Sequence, residues 1–191
     1  MDVIFASHNE HKRGEVKRIM SHIIPLVNVH APEGEPPVED GNSFSENALI
    51  KARSAHRPDA ITIADDSGIV VEALGGEPGI HSARYSGTGD DQANVELLLK
   101  NLGPSENRQA KFVCAAAVLV GTEEHVIERS WWGTIAHEVS GDGGFGYDPV
   151  FIPGGFDVTA AQLSVPNKDL LSHRGRAFRQ VALLLHRHAS S

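Results

Sequence analysis

The chain is organised around residues 61–71, which read Ile61-Thr62-Ile63-Ala64-Asp65-Asp66-Ser67-Gly68-Ile69-Val70-Val71. Runs of Ile and Val on both sides favour buried strands, so residues 65–68 are predicted to form a strand-to-turn junction that exits at Gly68. Because strand residues alternate faces, one of Asp65 and Asp66 is expected to face a cleft while the other binds backbone amides of the turn. Two adjacent carboxylates suit a metal site, and a plain turn with solvated aspartates is the alternative.

Composition narrows the class of protein. The chain has 191 residues and 40% hydrophobic content, which predicts one domain spanning 1–191 with room for two lobes. A formal charge of -8 argues against a partner such as duplex nucleic acid. A single cysteine, Cys114, excludes an intrachain disulfide and a CxxC zinc site. Neither a signal peptide nor a membrane span is expected, and a cytoplasmic location is predicted.

The N-terminal segment predicts a phosphate-binding loop. A short strand is expected over residues 3–6, followed by the loop Ser7-His8-Asn9-Glu10-His11-Lys12 and a helix running to about His22. Free amides and the positive end of a helix dipole favour phosphate, and Lys12 adds a full charge. Ser7 or Asn9 would cap the helix. Caps and solvated charges without any ligand are the alternative, since the glycines of a P-loop are missing.

An acid-rich loop precedes the next helix. A second strand is predicted near residues 26–29, and residues 31–41 are predicted to form an exposed loop that carries Glu39. Ser43 and Glu46 form a Ser-x-x-Glu pattern that predicts a capped helix, which Pro58 closes. Glu39 lies just ahead of this cap, so we expect it to lie near a metal. The alternative is a solvated acid, as is usual in a Pro-rich loop.

The second half of the chain predicts a mixed sheet. Residues 90–102 have the pattern of an amphipathic helix that ends at Gly103-Pro104. Two further runs, 111–120 and 125–132, predict an antiparallel hairpin, so the sheet is not purely parallel.

A glycine-rich loop at residues 141–149 predicts a base-binding surface. Its glycines allow a flat ligand to approach, Phe145 and Tyr147 are expected to stack on a base, and Asp148 would read its edge. The alternative is a hairpin whose aromatic residues cover the core. Basic residues then gather at the start of the last helix, at Lys168, His173 and Arg174.

These segments converge on one kind of ligand, a nucleoside triphosphate with magnesium. Mg²⁺ prefers carboxylate oxygens and is typically held by one or two side chains together with phosphates, a role that Glu39 and Asp66 fit. A carboxylate beside the ion can also activate water. Lys12, Lys168 and Arg174 would neutralise charge that develops on the phosphates.

Six motifs also occur in one order: Ser-His-Asn-x-x-Lys at 7–12, Glu-Asn-Ala-x-x-Lys-Ala at 46–52, Ala-Asp-Asp-Ser-Gly at 64–68, Pro-Gly-Ile-x-Ser-Ala-Arg-Tyr at 78–85, Gly-Gly-Phe-Gly-Tyr-Asp-Pro at 143–149 and Ser-His-Arg at 172–174. In them the chain resembles, over nearly its full length, the inosine triphosphate pyrophosphatase family of the RdgB or Ham1 type. The resemblance implies an elongated mixed sheet with flanking helices, two lobes around a central nucleotide cleft, and a homodimer. It also implies Mg²⁺-dependent conversion of ITP, dITP and XTP to the monophosphate and pyrophosphate.

The resemblance also implies site residues. Asp66 would be the catalytic acid-base and a metal ligand, with Glu39 as the second carboxylate. The remaining residues would bind substrate: Ser7, His8, Asn9, Glu10, His11, Lys12 and Ser67 at the phosphates, Phe145, Gly146, Tyr147 and Asp148 at the purine, and Lys168, His173 and Arg174 over both. His173 or Arg174 is the predicted donor to the 6-keto oxygen that adenine lacks. Family members often carry Thr at the position of Ser7, which preserves the hydroxyl. They often carry an acid at the position of Asn167, and this second difference puts the contacts of Lys168 in question.

Two other functions compete with this one. A phosphatase of the haloacid dehalogenase type would use an aspartate nucleophile and release orthophosphate, but its second acid is missing because Ser67 follows Asp66. A nucleotide sensor would bind without turnover and would not need the carboxylates. Maf-type pyrophosphatases share the reaction, yet the loop at 143–149 favours the inosine type.

Overall fold

The structure, a computed structural model, describes residues 1–57 and 59–189. Its strands are β1 (Asp2–Phe5), β2 (Asn28–His30), β3 (Ile61–Val71), β4 (Gln109–Val120), β5 (Glu123–Ile135) and β6 (Phe151–Pro153). Its α-helices are α1 (Glu10–Ser21), α2 (Phe44–Ala55), α3 (Asp91–Leu102), α4 (Val165–Leu171) and α5 (His173–Ala189). Pro58, predicted to close α2, lies outside the described residues. Each helix of the described part is too short or too polar to cross a lipid bilayer.

The described residues form a six-stranded mixed sheet in the order β2-β1-β3-β4-β5-β6. Strand β1 runs parallel to β2 and β3, with Val3 opposite Val29 and Ile61, whereas β6 runs antiparallel to β5. Only Gly121 and Thr122 separate β4 from β5, which confirms the predicted hairpin. Strand β2 begins later than predicted. Leu26, taken as a strand residue, is 82% exposed and lies in a turn.

The chain divides into two compact units that share strands β3, β4 and β5. Unit 1 comprises Met1–Asp66, Cys114–Arg129 and the C-terminal segment from Asp169, and unit 2 comprises Ser67–Val113 and Ser130–Lys168.

Unit 1 has a core made by helices α1 and α5 and by strands β1, β3 and β4. Its largest buried side chains include Phe5 and Phe178, whose rings meet edge to face at 5.8 Å. Cys114 is fully buried in this core, and burial raises the pKa of its thiol, as expected for a core cysteine.

Unit 2 has a separate aromatic core. The ring of Phe151 lies 4.7 Å from that of Phe112 and 5.3 Å from that of Trp131. Val95, Leu98 and Leu102 of α3 are buried, which confirms the predicted apolar stripe of that helix. The face of α3 opposite this stripe is therefore left for polar contacts.

Strand β3 corrects the prediction of a turn at residues 65–68. It runs without a break for 11 residues from Ile61 to Val71, so Asp65, Asp66 and Gly68 all lie inside a strand. Glycine is needed at position 68 because another segment of the chain packs closely against the strand there, and not because the chain turns. A Cβ at Gly68 would collide with the carbonyl oxygen of Gly79 and with the hydroxyl of Ser82.

Gly68→Ala is therefore expected to destabilise the protein by about 2–3 kcal/mol, because the backbone at Gly79 and the side chain of Ser82 would both have to move. Gly14→Ala is the matched control. Gly14 lies inside α1, and the nearest atom to an added Cβ is an arginine side chain at 3.6 Å, so this change should stabilise by about 0.5–1 kcal/mol. Urea unfolding of both variants measures the difference. If Gly68→Ala and Gly14→Ala changed the free energy of unfolding by the same amount in the same direction, close packing at Gly68 would be contradicted.

Candidate functional site

The predicted phosphate loop lies between β1 and α1. Asn9, and not Ser7, caps α1, because its side-chain oxygen accepts a hydrogen bond from the backbone amide of Lys12 at 3.0 Å. Ser7 supports this cap, since its hydroxyl accepts from the amide of Asn9 at 3.3 Å. His8 is 3.0 Å from the carbonyl oxygen of Gly34. The loop is thus ordered by its own polar side chains.

The other two residues of this loop are exposed. Glu10 lies in the first turn of α1 and pairs with Arg13 at 3.4 Å, and His11 follows it on the surface. Lys12 directs its ammonium at a buried carboxylate, that of Asp65, at 3.3 Å. The proposed phosphate contacts of this loop therefore depend most on Lys12 and on the backbone amides at the start of α1.

Asp65 is fully buried and binds cations from two helices. Its Oδ2 lies 3.3 Å from Nζ of Lys12 on α1 and accepts hydrogen bonds from Nη2 and Nε of Arg174 on α5 at 3.0 and 3.3 Å. Arg174 also donates to Glu15 at 2.7 Å. The expectation that one aspartate binds turn amides is therefore corrected. Residues 65–68 lie in a strand and not in a turn, and Asp65 binds the cationic side chains of Lys12 and Arg174 instead.

The charges in this cluster outweigh the cost of burial. Burial alone would raise the pKa of Asp65, but the positive charges of Lys12, Arg174 and Lys51 hold that pKa well below its usual value. Burial likewise opposes the charge on Arg174, and the carboxylates of Asp65 and Glu15 hold its pKa above the usual value. Asp65 and Arg174 are therefore charged together.

Asp66, the next residue along β3, belongs to a second cluster. Its Oδ1 accepts a hydrogen bond from Nζ of Lys51 at 2.8 Å, and the same ammonium lies 3.0 Å from Oε2 of Glu39. The two carboxylates predicted to share a metal thus meet at one cation in the structure. Lys51 was missed as a site residue, although it stands in the 46–52 motif beside the apolar face of α2.

Asn47 connects the acid-rich loop to Asp66. Its side-chain oxygen accepts from the amide of Gly41 at 2.9 Å, and its side-chain nitrogen donates to Oδ2 of Asp66 at 3.4 Å. A Cβ at Gly41 would lie 2.7 Å from that oxygen, so this approach needs glycine. Helix α2 holds Asn47 and Lys51 in place because Ser43 caps it as predicted, accepting from the amide of Glu46 at 3.1 Å.

The donor set at Asp66 fits a magnesium ion that is completed by substrate. Within residues 1–57 and 59–189, no three His, Cys, Asp or Glu side chains come together to hold a metal by themselves. Two carboxylates are nevertheless what Mg²⁺ uses when phosphates supply the other ligands. Asp66 and Glu39 already place oxygens around one positive charge, the ammonium of Lys51.

Burial raises the pKa of Asp66, and the nearby charge of Lys51 only partly offsets it. Burial also opposes the charge on Lys51, but the carboxylates of Asp66, Asp65 and Glu39 hold its pKa above the usual value. Lys51 therefore stays protonated, while Asp66 is a stronger base than an exposed aspartate.

Lys51→Met is expected to lower the free energy of unfolding by about 2–4 kcal/mol, because two carboxylates lose the one ammonium between them. Adding Asp66→Asn in the same chain should restore at least half of that loss. Urea unfolding of the single and double variants tests this, with Lys100→Met on an exposed face of α3 as the control. Additive losses in the double variant would show that Lys51 does not depend on Asp66.

Unit 2 carries the predicted base loop. Asp148 is buried and acts inside the loop, because its Oδ2 accepts from the amide of Phe145 at 2.8 Å and pairs with Nζ of Lys168 at 2.5 Å. The same ammonium lies 4.9 Å from the ring centre of Phe145. Lys168 therefore holds both the acid and the aromatic ring of this loop.

Tyr147 corrects the prediction of two stacking rings. It is only 5% exposed, and its hydroxyl donates to the carbonyl oxygen of Ser82 at 2.8 Å. Its ring is thus packed inside unit 2, as the core-covering alternative describes, and Phe145, which is half-buried, is the one aromatic residue of the loop with accessible surface. Gly146 lies between them with a φ of 60°, a conformation that favours glycine.

The basic residues near the C terminus lie on two different helices. Lys168 lies on the short helix α4 in unit 2, whereas His173 and Arg174 are buried in the first turn of α5 in unit 1. The prediction placed all three before one helix, and it missed the break at Ser172, whose hydroxyl accepts from the amide of Gly175 at 3.0 Å. Ser67 is the first residue of unit 2 and is half-buried in β3.

Comparisons with known proteins agree with these features. A family model described as the Ham1 family matches residues 3–183. The dITP/XTP pyrophosphatase of Mycobacterium tuberculosis (strain H37Rv) is 50% identical, covering 96% of this chain and 93% of that protein. The dITP/XTP pyrophosphatase of Leifsonia xyli is 46% identical, covering 96% of this chain and 94% of its own.

A solved structure shows the same fold. The Ham1 protein of Staphylococcus aureus is 37% identical to this chain and superposes with a TM-score of 0.86, covering 98% of this chain and all of that one. The α/β fold with a mixed sheet and flanking helices, predicted from the resemblance, is thereby confirmed. Its six motifs, its mixed sheet and a family match over almost its whole length show that the chain belongs to the Ham1 family.

Proposed function

We propose that this protein hydrolyses non-canonical purine nucleoside triphosphates, namely dITP, ITP and XTP, to the monophosphate and pyrophosphate. The observation that carries the proposal is the meeting of Asp66 and Glu39 at one cation on unit 1. Relatives that match this chain over more than nine-tenths of its length are named dITP/XTP pyrophosphatases, which supports the substrate class. The loops predicted to bind phosphate and base are each ordered by hydrogen bonds of their own side chains, which supports the proposal.

Asp66 and Glu39 are the residues that would hold Mg²⁺. A magnesium ion held there would supply positive charge that offsets the negative charge of the phosphates. Lys51 would hold the two carboxylate side chains toward each other, because its ammonium contacts both of them. Asn47 would keep Asp66 oriented through its side-chain amide.

The chain's own residues supply the rest of the chemistry. A carboxylate oxygen of Asp66 accepts a proton from a water molecule, and the water oxygen bonds to the α-phosphorus. The bond from that phosphorus to the bridging oxygen breaks, and pyrophosphate leaves with the electron pair. Lys12 lies at the start of α1, where its ammonium and the positive end of the helix dipole bind phosphate oxygens and stabilise charge that develops on them.

The base would bind at the loop on unit 2. Phe145 provides the accessible ring, and Lys168 and Asp148 hold it in place. The sequence predicted either His173 or Arg174 as the donor to the 6-keto oxygen. Because Nε, Nη1 and Nη2 of Arg174 all donate to Glu15 and Asp65, we assign the donor role to His173 and the role of holding Asp65 to Arg174.

Product analysis with ITP and ATP tests the proposal. Purified protein with MgCl₂ should release pyrophosphate from ITP and far less from ATP, and it should release neither product when EDTA removes the metal. Orthophosphate as the first product would favour a phosphatase. Tight binding of ITP without any product would favour a sensor.

We also propose that the protein is a homodimer that works in the cytoplasm, as the family resemblance predicts. Light scattering on the eluate of a size-exclusion column should give twice the 20.5 kDa mass of one chain. A single-chain mass at working concentrations would contradict the dimer.

A further inference from the structure

The base loop is held at two consecutive residues from outside its own sequence. The amide of Gly146 donates to Oδ2 of Asp91 at 2.8 Å, and the hydroxyl of Tyr147 donates to the carbonyl oxygen of Ser82 at 2.8 Å. Both partners lie in unit 2, Asp91 in the first turn of α3 and Ser82 in a 3₁₀-helix, Gly79–Arg84. The loop conformation thus depends on side chains and backbone outside the loop.

Helix α3 joins these two anchors. Asn94, three residues after Asp91 and buried, accepts from the amide of Ser86 at 2.8 Å and donates to the carbonyl oxygen of Ala83 at 3.2 Å. The first turn of α3 therefore holds the segment that binds Tyr147 as well as Gly146 itself. Asp90 caps this first turn, because its side chain accepts a hydrogen bond from the amide of Ala93 at 2.8 Å.

We infer that Asp91 is a positioning residue for nucleobase recognition. Its carboxylate binds the amide of Gly146, the residue next to Phe145, and a charge-assisted hydrogen bond of this kind fixes the glycine in its positive-φ conformation. Asp91 acts through the loop and does not bind the phosphates. The inference rests on the proposed function, because it takes the 143–149 loop to be the base site.

The test compares three variants by steady-state kinetics with ITP. Asp91→Ala removes the acceptor, Asp91→Asn keeps an amide oxygen in the same place, and Glu96→Ala removes a carboxylate from the same helix. Glu96 is exposed and accepts from Gln92 at 2.9 Å. Inhibition by tripolyphosphate, which has no base, reports on the phosphate half alone.

We expect Asp91→Ala to raise KM for ITP about three- to tenfold, with kcat and the inhibition constant of tripolyphosphate both within about twofold of the parent. Asp91→Asn and Glu96→Ala should both stay within about twofold in every constant. An unchanged KM in Asp91→Ala would overturn the inference. So would an equal rise in the inhibition constant of tripolyphosphate, because a general loss of structure would then be the cause.

Hydrogen exchange at the Gly146 amide gives a readout independent of activity. Exchange should be faster in Asp91→Ala than in the parent and unchanged in Glu96→Ala, and equal exchange in all three proteins would overturn the inference. Should Asp91→Ala not fold, Asp91→Asn decides by the same measurement. A neutral acceptor makes a weaker hydrogen bond than a carboxylate, so exchange should be moderately faster than in the parent, and equal exchange would overturn the inference. A parent protein that folds and releases no pyrophosphate from ITP would instead refute the proposed function.

Discussion

Asp66→Asn should lower kcat for ITP by about a thousandfold, the range expected when a general base is lost. The carboxylate of Asp66 is both the proton acceptor and one of two metal ligands in the proposed mechanism, and an amide performs neither role well. Pyrophosphate release at saturating ITP and MgCl₂ measures the loss. Glu39→Gln should cost less, because Glu39 would bind the metal without accepting a proton.

The folded state should tolerate the Asp66→Asn change. Burial raises the pKa of Asp66, so the fold disfavours its charged form, and an amide of the same shape removes that cost. Lys51 keeps Glu39 as a partner at 3.0 Å. The melting temperature should therefore stay within a few degrees of the parent. An active variant, or one that loses activity only because it unfolds, would contradict the role of Asp66.

Arg174→Met should lower the free energy of unfolding by about 3–5 kcal/mol, the cost of leaving buried charges without their partner. Arg174 is 2% exposed and is bound to both Glu15 and Asp65, which are themselves buried. Urea unfolding near neutral pH measures the loss. Lys17→Met, on the exposed face of α1, is the control and should change stability by no more than about 0.5 kcal/mol.

A double-mutant cycle separates the pair from other effects of the Arg174 change. Glu15→Gln removes one of the two buried acids, so the loss on adding Arg174→Met should be about 1–2 kcal/mol smaller than in the parent background. A cost below about 1 kcal/mol for Arg174→Met itself would show that the cluster is solvated. Selectivity for ITP over ATP in a folded Arg174→Ala variant is a separate readout, and unchanged selectivity would support the assignment of the base donor to His173.

Local signals in the sequence predicted the helices well. The cap at Ser43 and the glycine after α3 act within a few residues, so their patterns are visible in the chain itself. The hairpin of β4 and β5 was predictable for the same reason, since two turn residues separate two apolar runs. The mixed character of the sheet followed from that hairpin.

Gly68 shows where local reasoning is ambiguous. A glycine between two β-branched runs is compatible with a turn, and it is equally compatible with a strand that another backbone approaches closely. Only the position of Gly79 and Ser82 beside β3 decides between the two. That position depends on how distant segments pack, which the pattern of residues 61–71 does not contain.

Among the candidate site residues, too, local sequence predicted some roles, and contacts between distant residues determined the others. Asp66, Glu39 and Lys12 were identified as candidates because their side-chain chemistry is unusual where they stand. Lys51 was missed, because a lysine on a helix is usually a solvated charge, and the contacts that make it part of the site come from residues 12 and 15 positions away. Tyr147 was placed in the wrong role because its partner, Ser82, is 65 residues away.

The most direct test of the central claim is the fate of water oxygen during ITP hydrolysis in H₂¹⁸O with MgCl₂. Attack of water on the α-phosphorus predicts one ¹⁸O in the IMP product and none in pyrophosphate, as mass spectrometry of the two products will show. Label in pyrophosphate, or orthophosphate as the labelled product, would contradict the pyrophosphatase mechanism and the role of Asp66 in it.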